Sequence, residues 1–472
     1  MNILLLRPPF ARRSYLARFA LTEALTEIFI APALRERHAC HFVDMRVTPN
    51  LDRELGDFVP DIAVVSVMHL SHGSLDAVLG HLKHRFPTIR ILLVGAADYG
   101  ATHVTDRPED FTHPLADALL PAFYIAVVGR IVPQVVSAWE SGYDLAGVPG
   151  VWWQDDPGHW RREQPVPNLV EDYGVPDRTL LGKARGRYSL GGISRMAYLM
   201  HTEGCRFNCR YCTMSKLDGS LFTRRLPDVM EELHGITEPN VFLADFEPLQ
   251  APEALQRLAD SVDAERIRKN WYMLTRADSV LNHADILEHW KDIGLKWVFL
   301  GIDGHSASRL HQIGKGSSMA IAEEAVATLR RMGICVSAAI TVPSDATHED
   351  FAAIRAAATR MKTTMIDFTV ETPLVGTTLF DDTEAQLTTR DWSLFDMMHA
   401  VLPTAMPLDE FYREMTRLHM HGWALSGRAA WRYQPVRDML RNAAAGPGAM
   451  WQSWRSARDH HAHEHTLAGA PA

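Results

Sequence analysis

Two successive series of short apolar runs, each alternating with helix-period segments, constrain this 472-residue chain more than any other feature. In the first, "NILLLR" (2–7), "CHFVDMR" (40–46), "DIAVVSV" (61–67), "RILLVGA" (90–96) and "YIAVVGR" (124–130) have the length and β-branched content of buried parallel strands. "SLDAVLGHLKHRF" and "PQVVSAWESG" between or after them carry helical spacing. Alternation of this kind predicts a doubly wound, Rossmann-like α/β sheet over residues 1–146. Ligands of such sheets sit beyond the carboxyl ends of the strands, here the turns "RPPF", "SVMHLSHGS", "VGAADYG" and "VGRIV".

Residues 147–190 are dense in Pro, Gly and Asp with no sustained period and read as a surface linker. A second βα series then runs through "RMAYLMHTEGC", "NVFLADFEP", "NWYMLTRAD", "LKWVFLGIDG", "ICVSAAITVP" and "MIDFTVETPL". Six βα units predict a partial parallel barrel over 191–385, with its chemistry at the carboxyl-end rim. From 386 to 450 the segments "DWSLFDMMHAVL", "LDEFYREMTRLHMHGWAL" and "AAWRYQPVRDMLRNAAA" read as a helical extension. The polar end, 451–472, reads as a flexible tail whose four histidines need no ligand role.

Length alone argues for two or three domains. No apolar run reaches the eighteen or so residues that a membrane span needs. "MNILLLRPPF" lacks a basic n-region and a small-residue cleavage site, so it reads as a first strand and not as a signal peptide. Five cysteines, three of them clustered, do not make a disulfide framework, and a reducing, cytoplasmic location is expected. A net charge of −9 without basic blocks gives no electrostatic footprint for nucleic acid.

The clustered cysteines carry the chemistry. "GCRFNCRYCTMS" (204–215) places Cys205, Cys209 and Cys212 on a loop directly after a predicted strand. A structural zinc site wants a fourth Cys or His at comparable spacing, and the one nearby histidine, His201, lies in the strand end. A cubane iron–sulfur cluster held by three thiolates keeps one iron open to a substrate or cofactor.

In that spacing, with Tyr211 in the aromatic slot, the loop resembles the CxxxCx(aromatic)C signature of the radical S-adenosylmethionine (SAM) superfamily. The resemblance implies a [4Fe–4S] cluster on Cys205, Cys209 and Cys212, with SAM chelated to the fourth iron and cleaved to a 5′-deoxyadenosyl radical. It places Phe207 and Tyr211 beside SAM. "LADFEP" resembles the acidic turn near the SAM amino group, which nominates Asp245 and Glu247. "FLGIDG…IGKG" nominates Asp303 near ribose or substrate and Lys315 toward the SAM carboxylate. "TVETPLVGTTLF" resembles the turn beside adenine, with Pro373 in contact.

A doubly wound domain ahead of such a barrel resembles the cobalamin-dependent branch of the superfamily. That resemblance implies cobalamin against Pro9, Ser66, Val67, Met68, Gly95, Ala96 and Gly129, with no histidine below the cobalt. The chain departs from the branch at "GAAD" and "VVGR", where Arg130 stands in place of an acid. His69 and His72, in "MHLSH", are loop histidines with no assigned role. The segment after the barrel is similar to that of the hopanoid C-3 methylase group.

Together these imply a C-methyltransferase acting on an unactivated carbon of a small-molecule or lipid-like natural product, with a flavodoxin- or ferredoxin-type electron donor. The alternative is a radical SAM enzyme that catalyses cyclisation, rearrangement or redox chemistry without net methyl transfer. A binding protein with a defunct barrel is disfavoured by the intact cysteine motif.

Overall fold

The structure is a computed structural model, and it describes residues 1–10, 20–95, 102–122, 124–164, 173–216 and 220–430. Two compact units emerge: residues 1–190 with 195–198 and 222–238, and residues 191–194 with 199–221 and 239 onward.

In the first unit five strands, β1 (Asn2–Arg7), β2 (Ala39–Asp44), β3 (Ile62–Val67), β4 (Arg90–Gly95) and β5 (Ala118–Leu120), pair in parallel in the order 2-1-3-4-5. All six residues of β3 are buried, because a strand covered on both faces must be apolar at every position. One face carries Leu4, Leu6, Val65 and Leu93 against Leu75, Val78 and Leu82 of helix α2 (Leu75–Arg85). Helices α1 (Leu25–Arg35) and α3 (Ile125–Glu140) pack on each other elsewhere in the unit. The order reverses direction between β1 and β3, so the switch point, where doubly wound sheets take ligands, lies at the ends of these two strands. Ser74 Oγ ties the two ends together by donating to the Pro9 carbonyl at 2.8 Å.

Two expectations for this unit are corrected. The strand read at 124–130 is the first half of α3, whose buried Ile125, Val128, Val132, Val135 and Trp139 keep helical spacing straight through Pro133. The segment read as linker carries an antiparallel hairpin, β6 (Trp152–Asp156) and β7 (His159–Arg162), which extends the sheet from β5.

A buried ionic network closes the unit. Arg178 donates to Glu23, to Glu232 at 2.5 Å and to the Tyr198 carbonyl at 2.6 Å, while Tyr198 N donates to Glu23 at 2.7 Å. Arg224 reaches Glu232 at 2.5 Å from the other side. Burial pushes the Glu23 carboxyl up even though Arg178 pulls it down.

In the second unit, β9 (Asn240–Leu243), β10 (Asn270–Arg276), β11 (Leu295–Gly301), β12 (Cys335–Val342) and β13 (Met365–Val370) pair in parallel in chain order. Strand β8 (Met196–Leu199) stands first in that order, and the division between units runs through it. Helices such as α4 (Pro252–Ala264), α5 (Ala284–Asp292), α6 (Met319–Arg331) and α7 (His348–Met361) join the strands, which gives the expected partial (β/α)6 barrel. The C-terminal helix α8 (Leu408–Ala430) packs on β13, where a Cβ at Gly422 would lie 2.9 Å from Phe368.

The helix expected over 391–402 is replaced by turns and one short 3-10 segment, Trp392–Leu394. Asp391 accepts from Ser393 N, and Asp396 accepts from Met398 N and His399 N, so side chains take the donors that a helix would have used. Leu394, Phe395 and Val401 are packed with Val375 and Phe380 as core. The helix expected at 429–445, the tail 451–472 and Ala96 lie outside the described residues or at their edge.

Replacing Arg178 with Met strands the buried Glu23 carboxylate without its partner. The expected cost is about 3–5 kcal/mol in urea denaturation. A loss under about 1 kcal/mol, the scale of an exposed pair, contradicts the network's role.

Candidate functional site

Glycine opens the cysteine loop for a steric reason. Gly204 has φ 101°, and a Cβ there would lie 2.0 Å from the Ser220 carbonyl oxygen. Cys209 is buried, and Cys205 and Cys212 are half-buried. The Cys212 amide donates to the Cys209 carbonyl at 3.0 Å, which folds the second half of the loop into a turn.

Every barrel strand end from β9 to β11 and that of β13 sends a group to this loop. Beyond β9, Gln250 accepts from Arg206 N at 3.0 Å and donates to the Gly204 carbonyl at 3.1 Å. From the last residue of β10, Arg276 Nη1 donates to Cys209 Sγ at 3.6 Å, and its guanidinium carbon lies 4.0 Å from the Phe207 ring centroid. Beyond β11, the Ile313 carbonyl accepts from Arg210 N at 3.1 Å, and beyond β13 Leu379 N donates to the Arg210 carbonyl at 2.9 Å.

Asp303, half-buried, and Lys315, buried, form an ion pair at 2.6 Å, and the Tyr211 hydroxyl donates to the same Asp303 oxygen at 2.7 Å. Asp303 has φ 65°, and a Cβ at Gly301 would come within 3.0 Å of its carboxylate and 3.2 Å of Lys315 Nζ, so the pair needs this glycine. Burial opposes the charge on Lys315, but Asp303 and Cys209 together outweigh it and hold the ammonium above its usual range. Burial, then Asp303, push the Tyr211 hydroxyl well up.

Burial dominates two of the thiols, Cys205 and Cys212, as well. It pushes Cys212 up to about 12, with Cys209 and Cys205 adding to the rise and Lys315 opposing it. Cys205 is raised by burial and by the facing Glu247 carboxylate. The three thiols are thus electrostatic neighbours. Among the described residues, no group of three or more His, Cys, Asp or Glu side chains, the cysteine loop included, is closed up as a ready-made metal site.

The sequence candidates separate into two groups. Phe207, Tyr211, Glu247, Asp303 and Lys315 gather around the cysteine loop. Glu247 accepts from Thr275 Oγ1 at 2.6 Å and Arg276 N at 2.7 Å, and burial pushes it up to about 6. Asp245 is spent elsewhere. Its two oxygens accept from His201 N, Thr202 N and Thr202 Oγ1 at 2.7, 2.9 and 2.6 Å, which pins the exit of β8. Pro373 is buried in the turn after β13. Beside the loop opens a cavity of 550 Å³ walled in part by Arg210, Tyr211, Ser344 and Glu371. Arg309, paired to Glu371, lines it too, and the Ser344 hydroxyl is buried without a hydrogen-bond partner among the described residues.

Sequence reasoning passed over Arg276 and Gln250. The available signal for Arg276 was a basic residue closing a barrel strand in "LTRAD", at the carboxyl-end rim.

In the first unit, Ser66 sits near the end of β3, buried, and its hydroxyl has no partner among the described residues. Val67 and Met68 follow it into a 3-10 turn where Met68 N donates to Ser71 Oγ at 3.1 Å. A Cβ at Gly95 would lie 2.5 Å from the Ala122 carbonyl oxygen, so the protein's own backbone already explains that glycine. Gly129 lies inside α3 and not at a strand end. His72 is engaged by the Asp110 carbonyl at 2.8 Å and packs edge-on to Phe111.

An open parallel barrel with a three-thiol loop seated on its carboxyl rim defines a class. Residues 199–358 match the Radical SAM superfamily profile, and the chain carries a radical SAM domain there, as the cysteine spacing implied. Hopanoid C-3 methylase of Methylococcus capsulatus is 29% identical over 425 residues, covering 87% of this chain and 79% of that protein. Two solved structures share the fold at 14% identity. The cobalamin-dependent SAM radical enzyme OxsB, with aqua-cobalamin and SAM bound, has a TM-score of 0.69 and the match covers 96% of this chain and 71% of that one. The radical SAM methyltransferase TsrM of Kitasatospora setae, with tryptophan and aza-SAM bound, has a TM-score of 0.62, with coverages of 90% and 89%.

Glu247 gives the site a pH signature. Its folded pKa of about 6 is raised above the model-peptide value, so folding favours its protonated form. Its contribution is full below the unfolded pKa and is lost as pH rises through about 6, a loss of roughly 2 kcal/mol. Melts of the metal-free protein from pH 4 to 7 are expected to show this slope, and Glu247→Gln to flatten it. A Glu247→Gln slope identical to wild type would contradict it.

Proposed function

We propose that the chain is a cobalamin-dependent radical SAM C-methyltransferase that acts on an unactivated carbon of a small-molecule or lipid-like natural product. The observation that carries this is the three-cysteine loop held by the carboxyl-end groups of the barrel strands, in a chain that also contains a doubly wound unit with its own switch point. Likeness to a hopanoid C-3 methylase along most of the chain supports methyl transfer.

Cys205, Cys209 and Cys212 would hold a [4Fe–4S] cluster. The donor chemistry fits, because the three residues are soft sulfur ligands gathered on one loop, and a cubane with three thiolates keeps one iron for SAM. When bound, the cluster and SAM supply one-electron chemistry and cobalamin supplies a methyl-carrying metal, steps that side chains cannot perform.

The remaining roles belong to the chain itself. Glu247, facing Cys205, offers a carboxylate to the SAM ammonium, and Lys315, fixed by Asp303 and Tyr211, offers a cation to its carboxylate. The 550 Å³ cavity beside Tyr211 has the volume of a small-ligand site, with Pro373 in the turn that carries one wall residue, Glu371. Asp245 has the positioning role that its three internal donors describe.

For cobalamin, the fit rests on Ser66, whose orphaned hydroxyl lies near the switch point with Pro9, Val67 and Met68. Gly95 and Gly129 are not needed for it. A small electron-transfer protein of flavodoxin or ferredoxin type would deliver the reducing electron.

Anaerobic reconstitution with iron, sulfide and hydroxocobalamin, followed by mass spectrometry of the SAM products, tests the proposal. Both S-adenosylhomocysteine and 5′-deoxyadenosine are expected, and Cys209→Ala is expected to abolish the latter. 5′-Deoxyadenosine alone would replace methyl transfer with a cyclisation, rearrangement or redox reaction, and neither product would overturn the enzyme assignment.

A further inference from the structure

Arg276 is the charged side chain that enters the cysteine loop most intimately. Its side chain is 8% exposed, and four of its five N–H donors are distributed over three partner residues. Nη1 donates to Cys209 Sγ at 3.6 Å, Nη2 donates to the Lys315 carbonyl at 2.6 Å, and Nε and Nη2 each meet Asp278 at 3.0 Å. The guanidinium plane also covers Phe207, between Cys205 and Cys209 in sequence. Its backbone amide donates to Glu247.

Such a residue does two things by physical necessity. A planar fork that bonds three separate backbones and side chains fixes the loop's conformation in a way that a flexible ammonium does not. A fixed positive charge next to a thiolate also stabilises whichever redox state of a bound cluster is more negative, since hydrogen bonds to the sulfurs and local charge set the potential. Asp278 offsets part of this charge, but it stands on the far side and is 28% exposed.

We propose that Arg276 is a positioning residue that orders the cysteine loop and raises the reduction potential of the cluster bound there. The inference rests on the cluster assignment made above, and it concerns a residue outside the cysteine motif.

The test compares wild type, Arg276→Lys and Arg276→Gln after anaerobic reconstitution. The readouts are iron and sulfide content, the absorption spectrum, the melting curve and the midpoint potential from an EPR-monitored redox titration. Arg276→Gln is expected to reduce about tenfold less favourably, a midpoint shift of ~59 mV to more negative values for one electron. Arg276→Lys is expected to keep a midpoint near wild type, because the charge is retained, while holding less iron because the fork is lost.

Equal midpoints in wild type and Arg276→Gln would overturn the proposal, and so would a wild-type iron content in Arg276→Lys, which keeps the charge but not the fork. A wild-type protein that takes up no four-iron cluster would overturn the cluster assignment along with it, a result distinct from a normal cluster whose potential ignores Arg276.

Discussion

The site depends on one constraint: a loop carrying three thiols has to be held still over the open end of a barrel. Cysteine side chains are short and the loop has no regular structure, so the order comes from outside. It comes from charged and polar groups placed at the ends of strands, namely Gln250, Arg276, and the Asp303–Lys315 pair with Tyr211. Arg276 and Lys315 are buried and the others half-buried, and buried charges persist only when paired and fully bonded. The pairing is what places Lys315 and Glu247 near the thiols as opposite charges with distinct partners.

A parallel barrel suits this arrangement because all its strands end on the same rim. Residues distant in sequence, such as Arg276 and Cys209, or Leu379 and Arg210, are brought together without any local sequence relation. The same logic governs the first unit, where sheet order 2-1-3-4-5 creates a switch point between two strands whose turns are joined through Ser74 and Pro9.

Much of the fold was legible in the sequence because buried parallel strands are apolar at every position, as "IAVVSV" shows. The failures have physical causes. "YIAVVGR" is equally apolar and β-branched, and only the continuation through Ile131, Val132, Val135 and Trp139 reveals a helix, which Pro133 disguises by resembling a boundary. The hairpin at 152–162 hid in a Pro- and Gly-rich stretch, and the turns at 391–402 hid behind aromatic residues whose neighbours Asp391 and Asp396 capture the backbone donors. At the site, a motif's spacing nominated the cysteines, Asp303 and Lys315, and these residues gather around one loop. Arg276 was not nominated, because its partners are Cys209, Phe207 and the Lys315 carbonyl, contacts that only folding creates. Asp245 was legible as an acid in the right turn, but not as one already engaged by three donors.

The central claim is that three thiolates hold a four-iron cluster with one iron open to SAM. Mössbauer spectroscopy of protein reconstituted with iron-57, recorded with and without SAM, tests it most directly. A [4Fe–4S] spectrum is expected in which one iron in four changes its isomer shift when SAM is added. A spectrum with no four-iron cluster, or one in which SAM leaves all the iron sites unchanged, would contradict it.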